Sequence, residues 1–251
     1  MGFYDLPKPE RERLVAKINA LILSDLKSGK QKTTLSYFSD EDTYIRKTAY
    51  LSIGKIYKDH CELHKNILSF LNDALSSANE KIRQTVINAA GEIGKINFAE
   101  IEHFMRTGLF DEHHSVRNAV IGSIKKMGEK NPVPTLLFAK QFLHHENKEI
   151  RREICHGIEL RGRTHPEDIL PLLRELQFDK TARVRNTLVH VIGQIAYKKG
   201  CLETVITDLK EWDNQELVKD AIDEIIDVHH RYRSFAIKTQ KEVIAYIETH
   251  F

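Results

Sequence analysis

The chain has 251 residues, of which 41% are hydrophobic and 29% are charged, and its formal net charge is +2. This composition is typical of a folded soluble protein, and the weak overall charge means that nucleic-acid binding would require a local basic patch. No apolar run approaches the roughly 20 residues of a membrane span, and the N-terminus lacks the layout of a secretory signal. The three cysteines lie far apart without a CxxC motif, which predicts reduced thiols in a cytoplasmic protein.

The first predicted element is an amphipathic helix within residues 1–29, in the segment PERERLVAKINALILSDL. A tandem repeat follows over residues 30–227. Its copies align on YIRKTAYLSIGKI, KIRQTVINAAGEIG, SVRNAVIGSIKKMG, EIRREICHGIELRG and RVRNTLVHVIGQIA, with a degenerate sixth copy, LVKDAIDEIIDV. We call the β-branched residue before the arginine or lysine of each copy the anchor, and the anchors are Ile45, Ile82, Val116, Ile150, Val184 and Val218. The first step between anchors is 37 residues and each later step is 34, which indicates one structural unit used repeatedly.

Each repeat is interpreted as a pair of helices. After the third anchor, apolar residues fall at steps of three and four (Val116, Ala119, Val120, Ile124 and Met127), which predicts a helix with one buried stripe. A second amphipathic stretch lies between successive anchored helices, and the sequence shows no strand-like alternation. The sequence therefore predicts a single all-α domain over residues 1–251. This domain would be a right-handed α-solenoid of about six helix pairs, with a C-terminal capping helix in residues 228–251.

The pattern Asp-x4-Val/Ile-Arg, followed by a helix with small residues, resembles the HEAT repeat. The residue five positions before the anchor is Asp40, Ser77, Asp111, His145, Asp179 or Asp213 in the six copies. In HEAT proteins this aspartate and the arginine after the anchor form a ladder between neighbouring repeats. The resemblance implies a structural role for both residues, with a weaker ladder at Arg83 and Arg151, because Ser77 and His145 replace the aspartate there.

The resemblance also implies that the anchored helices line the inner, concave surface of the solenoid. Because each anchor packs inward, the positions two and six residues later are expected to face solvent on that surface. The second positions are Lys47, Gln84, Asn118, Arg152, Asn186 and Asp220, and the sixth positions are Leu51, Asn88, Gly122, His156, His190 and Glu224. Adjacent helices lie about 10 Å apart, so we expect His156 and His190 to face a common ligand without touching each other.

No local pattern predicts a metal site, a cofactor or a nucleophile. The histidines lack HxxxH or Cys/His ligand spacing, so a metal pair of His156 and His190 is the less favoured interpretation. Walker loops, dinucleotide fingerprints and nucleophile elbows are absent from the sequence. Cys155 falls on the buried stripe, with no neighbour in sequence that would activate its thiol.

Residues 150–212 carry a further series: paired arginines, a glycine, Arg-x-Arg, ILPLLRELQFD, VRN and a closing tryptophan. This series is similar to a segment of the HEAT-like DNA alkylation repair glycosylases. Proteins of that family cradle duplex DNA on the concave face and hydrolyse cationic alkylated bases, and a carboxylate stabilises the oxocarbenium-like sugar. The residues that match by position are Arg151, Arg152, Arg161, Arg163, Arg185 and Trp212.

The resemblance implies DNA as a partner, and arginine or lysine side chains in a groove gain affinity for phosphates through counterion release. The candidate DNA-binding residues are Lys47, Arg152, His156, Arg161, Arg163, Asn186, His190, Lys198, Lys199, Arg231 and Arg233. In a glycosylase the carboxylate would come from Glu159, Asp220 or Glu224. The alternative function is a non-enzymatic protein-interaction scaffold, in which apolar inner residues such as Leu51 would grip a partner helix or peptide. Neither function involves a membrane.

Overall fold

Every regular element of the protein is helical in the range that the computed structural model describes, Gly2–Phe251. The prediction of an all-α fold is therefore confirmed. The chain divides into two compact units, of which the first ends at Asn131 and the second begins at Pro132. Within the described range, no helix combines the length and the apolar character that crossing a membrane requires.

The first unit contains a long N-terminal helix followed by three helix pairs. Its helices are α1 (Lys8–Ser28), α2 (Lys32–Phe38), α3 (Thr43–Asp59), α4 (His64–Leu75), α5 (Glu80–Gly94), α6 (Glu102–Leu109) and α7 (His114–Lys130). α1 ends at Gly29, whose φ of 70° is a left-handed conformation that glycine accepts without steric cost. The anchored helices α3, α5 and α7 pack side by side in chain order, and α1 packs on α3.

A glycine allows α5 and α7 to approach each other closely. A Cβ atom at Gly91 would lie only 2.3 Å from Oγ and 2.6 Å from Cβ of Ser123. The hydroxyl of this serine donates a hydrogen bond of 3.2 Å to the carbonyl oxygen of Ile87, so the two helices are joined at the point of closest approach. The small residues of the repeat therefore serve helix packing at this position.

The second unit contains the remaining helices and has the same organisation. Its helices are α8 (Pro132–Lys140), α9 (Lys148–Gly157), α10 (Glu159–Gly162), α11 (Leu170–Arg174), α12 (Ala182–Ala196), α13 (Cys201–Leu209), α14 (Gln215–Arg231) and α15 (Gln240–His250). α12 packs between α9 and α14, and α15 packs on α14. A single residue, Ile158, separates α9 from α10, so the predicted fourth anchored helix is present with a one-residue interruption.

The repeat pattern and the observed helices agree along the described chain. Each of the six anchored helices (α3, α5, α7, α9, α12 and α14) follows a shorter helix, which confirms the prediction of about six helix pairs. Five of them begin at a side chain that caps the helix by accepting a backbone N–H; in α14 this residue is Asn214, four positions before the anchor. The other four N-cap residues are Asp42, Asn79, His113 and Asn147, each three positions before its anchor. Capping of this kind satisfies one of the unpaired donors at a helix start, which explains why the helices begin at this point in each repeat.

The arginine after each anchor binds the backbone of its own repeat. Its Nη1 donates a hydrogen bond of 2.5–2.9 Å to the carbonyl oxygen of the residue six positions earlier. The arginines are Arg46, Arg83, Arg117, Arg151 and Arg185. Because the acceptor is a main-chain oxygen, Ser77 and His145 provide it as well as an aspartate does.

Arg83 and Arg151 also reach a carboxylate in the following repeat. Arg83 donates to both oxygens of Asp111, at 2.7 and 3.0 Å, and Arg151 donates to both oxygens of Asp179, at 2.5 and 3.0 Å. The expectation of a weaker ladder at these two arginines is therefore wrong. It assigned each aspartate to the arginine of its own copy, whereas these salt bridges join an arginine to the aspartate 28 residues later.

Candidate functional site

Three sixth-position side chains meet in the second unit. His156 of α9 and His190 of α12 lie edge to face, with 6.0 Å between their ring centroids. Nδ1 of His190 lies 3.7 Å from Oε1 of Glu224 on α14. The row that the sequence predicts on adjacent helices is therefore present here. The two imidazoles are closer than expected, because α9 and α12 pack directly against each other.

Glu159 lies beneath this row and is buried, with 2% of its side chain exposed. Its Oε2 is 3.1 Å from Nε2 of His156, and its Oε1 accepts a hydrogen bond from Nη2 of Arg163. His156, Glu159 and Arg163 follow one another at helical steps of three and four, which places them on one face of α9 and α10. The buried carboxylate is therefore held between an imidazole and a guanidinium group.

Arg163 is in turn fixed by α12. Its Nη2 donates a hydrogen bond of 2.9 Å to Oε1 of Gln194, a side chain that is also buried. The Nε2 of Gln194 and the Nε of Arg163 are buried without a hydrogen-bond partner in the described structure. Unsatisfied buried donors are uncommon in proteins, so this network is incompletely paired.

His156, Glu159 and His190 form a compact set of potential metal ligands. One ligand atom from each of the three lies within 4.8 Å of the other two. Burial lowers the pKa of His190 below its ordinary value, and the carboxylates of Glu159 and Glu224 offset this effect only in part. The sequence predicts that His156 and His190 face a common ligand, but it does not predict that Glu159 joins them. The only available signal was the helical step from His156 to Glu159 combined with the 34-residue repeat.

Four of the arginines predicted to bind DNA form ion pairs within the chain. Arg152 donates to Glu149 at 3.0 Å, and Arg161 donates to Asp168 at 2.7 Å. Arg231 lies 2.6 Å from carboxylate oxygens of both Glu224 and Asp227. Together with the Arg163–Glu159 pair, these contacts mean that a DNA phosphate would have to compete with a protein carboxylate at each arginine.

The remaining candidate residues lie outside this cluster. Asn186 and Asp220, which share the second position with Arg152, are exposed on α12 and α14. Lys198 lies over the ring of Tyr197, with 4.4 Å between its Nζ and the ring centroid. Lys199 and Arg233 are exposed, and Lys47 is exposed on α3 in the first unit. Of the three proposed carboxylates, only Asp220 is exposed.

Trp212, which matches the closing tryptophan of the resemblance, is part of the core. Its side chain is fully buried, and its Nε1 donates a hydrogen bond of 2.7 Å to Oδ2 of Asp208. The indole is therefore not available for stacking on a base.

A groove between α1 and α3 is a second concave feature of the structure. It encloses about 890 Å³, and apolar side chains such as Val15, Leu23 and Leu51 line it. Val15 and Leu51 are 41% and 42% exposed. The other lining groups include the cations of Lys8, Arg11 and Lys55 and the carboxylate of Glu12. Leu51 was predicted to be an exposed inner residue, but the contribution of α1 was not predicted.

The helix pairs that follow one another along the chain define an all-helical repeat protein of the HEAT-like α-solenoid class. Among solved structures, AlkD2 from Streptococcus mutans is 18% identical, covers 78% of this chain and 97% of its own, and gives a TM-score of 0.57. The smu.31 protein of Streptococcus mutans UA159 is also 18% identical. Its match covers 81% of this chain and 97% of the smu.31 chain, with a TM-score of 0.53.

A structure of crescerin, which uses a TOG domain array to regulate microtubules in the primary cilium, is 15% identical. It covers 77% of this chain and 88% of its own, with a TM-score of 0.51. No family model and no curated protein matches the sequence. At these identities the similarity shows the fold and nothing further.

Proposed function

We propose that the chain is a HEAT-type protein-interaction scaffold that holds an amphipathic helix of a partner protein in the groove between α1 and α3. The observation that carries this proposal is the apolar lining of the groove, in which Val15 and Leu51 keep about two-fifths of their surface exposed. Exposed apolar concavities of this size mark binding sites, because water contact with the lining is unfavourable. An amphipathic helix that enters such a groove buries its own apolar face at the same time.

The charges around the groove favour a partner with acidic flanks. Lys8, Arg11 and Lys55 line the groove together with a single carboxylate, that of Glu12. Opposite charges at the rim of an interface speed association and select among partners. The proposed partner segment therefore carries two or three apolar side chains at helical spacing, flanked by aspartate or glutamate.

Duplex DNA binding, which the sequence resemblance implies, receives less support from the geometry. Arg152, Arg161 and Arg231 each pair with a carboxylate, so phosphate binding would first require these ion pairs to open. Base excision would also require a carboxylate that reaches the sugar. Glu159 is buried against Arg163, and Glu224 is engaged by Arg231.

The proposal is tested with a fluorescent helical peptide that has leucines at positions i, i+3 and i+7 and glutamates on both flanks. We expect Leu51→Asp to weaken peptide binding at least ~10-fold, because the substitution places a charge in the apolar contact. The matched control is Ile96→Asp in the same unit, since Ile96 is 55% exposed and does not line the groove. Fluorescence anisotropy reports the affinity, and circular dichroism verifies that both variants fold.

Three results would overturn the proposal. The first is equal binding to Leu51→Asp and to the control. The second is equal binding of a peptide with lysine flanks. The third is a clear preference for a 30-base-pair duplex over the peptide. Light scattering distinguishes a further occupant, because a second copy of this chain in the groove would form dimers that Leu51→Asp dissociates.

A further inference from the structure

We propose that His156, Glu159 and His190 bind a zinc ion. The ligand atoms of the three side chains already lie within 4.8 Å of one another. Two imidazoles and one carboxylate are a ligand set that Zn²⁺ accepts, with a fourth position left for water. All three residues belong to the second unit, so the site does not depend on the groove proposed above.

The ligand atoms would have to move by no more than about 1.5 Å relative to one another to hold the ion. Zinc ligands lie about 2.0–2.2 Å from the ion, which puts tetrahedral ligand atoms about 3.3–3.6 Å apart. Nε2 of His156 and Oε2 of Glu159 are 3.1 Å apart, close to this value. The remaining movement falls on the imidazoles, which are 33% and 44% exposed and therefore have room to rotate. Glu159 would be the fixed ligand, since it is buried.

The surroundings of Glu159 resemble the outer shell of a metal site. One carboxylate oxygen accepts a hydrogen bond from Arg163, and the other faces His156. Arg163 is itself held by Gln194 of α12. Outer groups of this kind fix the orientation of a ligand and are a regular feature of protein metal sites. Arg163 is thus a positioning residue, and the oxygen facing His156 is the one offered to the ion.

A second carboxylate, which also pairs with Arg231, lies next to the site. Glu224 brings this carboxylate to within 3.7 Å of Nδ1 of His190. The ion would join α9 and α10 to α12, so that it connects two successive repeats. An ordinary ion pair between His156 and Glu159 explains one contact of the cluster. It does not account for the second imidazole, whose ring lies edge to face against the first, with 6.0 Å between the ring centroids.

The test uses the full chain after treatment with a chelator. We expect isothermal titration to show one equivalent of Zn²⁺ bound, and we expect the ion to raise the thermal midpoint by several degrees, on the order of 3–8 °C. Bound Co²⁺ should give the visible absorption of a four-coordinate ion with nitrogen and oxygen ligands. His156→Asn and His190→Asn should each weaken zinc binding at least ~10-fold, because each removes one of three ligands.

The matched control is His144→Asn. His144 is also in the second unit, and its Nε2 lies 2.8 Å from Oε2 of Glu175. This pair contains one imidazole and one carboxylate, whereas the proposed site contains two imidazoles and one carboxylate. The control should bind zinc as the unchanged protein does. The proposal is overturned if the unchanged protein binds no zinc, or if both histidine variants retain its affinity. Because the imidazoles are partly exposed, the two histidine variants should fold. They therefore test zinc binding even if Glu159→Gln, which changes a buried residue, fails to fold.

Discussion

Arg151 of α9 forms a two-pronged salt bridge with Asp179, which lies in the following repeat. The bridge is buried, with 9% of the arginine side chain and 5% of the aspartate side chain exposed. Nη1 of the same arginine binds the carbonyl oxygen of His145. Arg151 therefore ties the loop before its own helix to the loop before the next anchored helix.

We expect Asp179→Asn to destabilise the protein by about 2–4 kcal/mol. The substitution leaves the Arg151 guanidinium buried without its counter-charge, and breaking a buried pair from one side is costly. The free energy of unfolding in urea is the quantity to measure. Arg183→Met is the control, because its ion pair with Glu149 leaves 64% of the arginine exposed and should change stability by less than about 0.5 kcal/mol. Equal losses in the two variants would contradict a special role for the buried bridge.

The same bridges predict how stability depends on pH. Burial would raise the pKa of Asp111 and Asp179, but the hydrogen bonds and charges of Arg83 and Arg151, together with hydrogen bonds from backbone N–H groups, outweigh burial and lower both pKa values. The unfolded chain then takes up these protons at a higher pH than the folded chain does. The stabilisation is complete above the ordinary pKa of about 4 and is lost as the pH falls through the lowered values.

Urea unfolding between pH 6 and pH 3 should therefore show a decline that begins near pH 4. In the double variant Asp111→Asn/Asp179→Asn this decline should be smaller, because two of the responsible carboxyl groups are gone. A variant that loses stability as steeply as the unchanged protein would assign the acid sensitivity to other groups.

The helix pairs could be predicted from the sequence because their signal is local. Anchors such as Ile150 and Val184 recur at a constant step, and the helical stripe around each one is set by residues three and four positions away. The salt bridges were assigned wrongly for the opposite reason. The aspartate that binds Arg83 lies 28 residues away in the next repeat, while a more obvious position lies six residues away in its own repeat.

The candidate sites show the same limit. The row of His156, His190 and Glu224 followed from equivalent positions in successive repeats. The burial of Glu159 and its ion pair with Arg163 depend on side-chain packing, which the spacing of residues in the sequence does not predict. In α1, both the buried Ile18 and the exposed Val15 fit an apolar helix pattern. Only the structure distinguishes the covered face from the groove.

Two glycines on neighbouring helices should respond in opposite ways to alanine. Gly91→Ala should cost about 1–3 kcal/mol, because the new Cβ would lie 2.3 Å from the Ser123 hydroxyl oxygen and force α5 and α7 apart. Gly122→Ala in α7 should stabilise by about 0.5–1 kcal/mol, because nothing lies within 4 Å of the new atom and alanine favours a helix. Thermal and urea unfolding measure both. Changes of the same sign would contradict the close packing described for Gly91.

The three cysteines should differ sharply in reactivity. Cys61 is exposed, whereas Cys155 and Cys201 are buried. Burial raises the pKa of both buried thiols, so neither forms the reactive thiolate near neutral pH. With a thiol reagent such as DTNB we expect one equivalent to react rapidly and two more only after unfolding in urea. Cys61→Ser should remove the rapid phase. Rapid reaction of a second thiol would show that the core around it opens readily.

Duplex DNA provides the sharpest comparison between paired and unpaired cations. Arg152, Arg161 and Arg231 form ion pairs with carboxylates, whereas Lys198 and Lys199 form no ion pair with any of the residues 2–251. Removing a paired arginine also frees its carboxylate, but removing an unpaired lysine only takes away positive charge. We therefore expect weak duplex affinity near physiological salt, with a Kd no tighter than about 1 μM.

At lower salt, Lys198→Gln/Lys199→Gln should reduce this residual binding and lower the slope of affinity against salt concentration by about two counterions. Electrophoretic mobility shifts with one duplex at several salt concentrations measure both effects. The triple variant Arg152→Gln/Arg161→Gln/Arg231→Gln should lower the slope less per charge, because the paired arginines contribute little to the field at the phosphates. A steep loss in the triple variant, with little effect of the lysines, would mean that DNA opens these ion pairs. The arginine row would then become the nucleic-acid surface that the sequence resemblance implies.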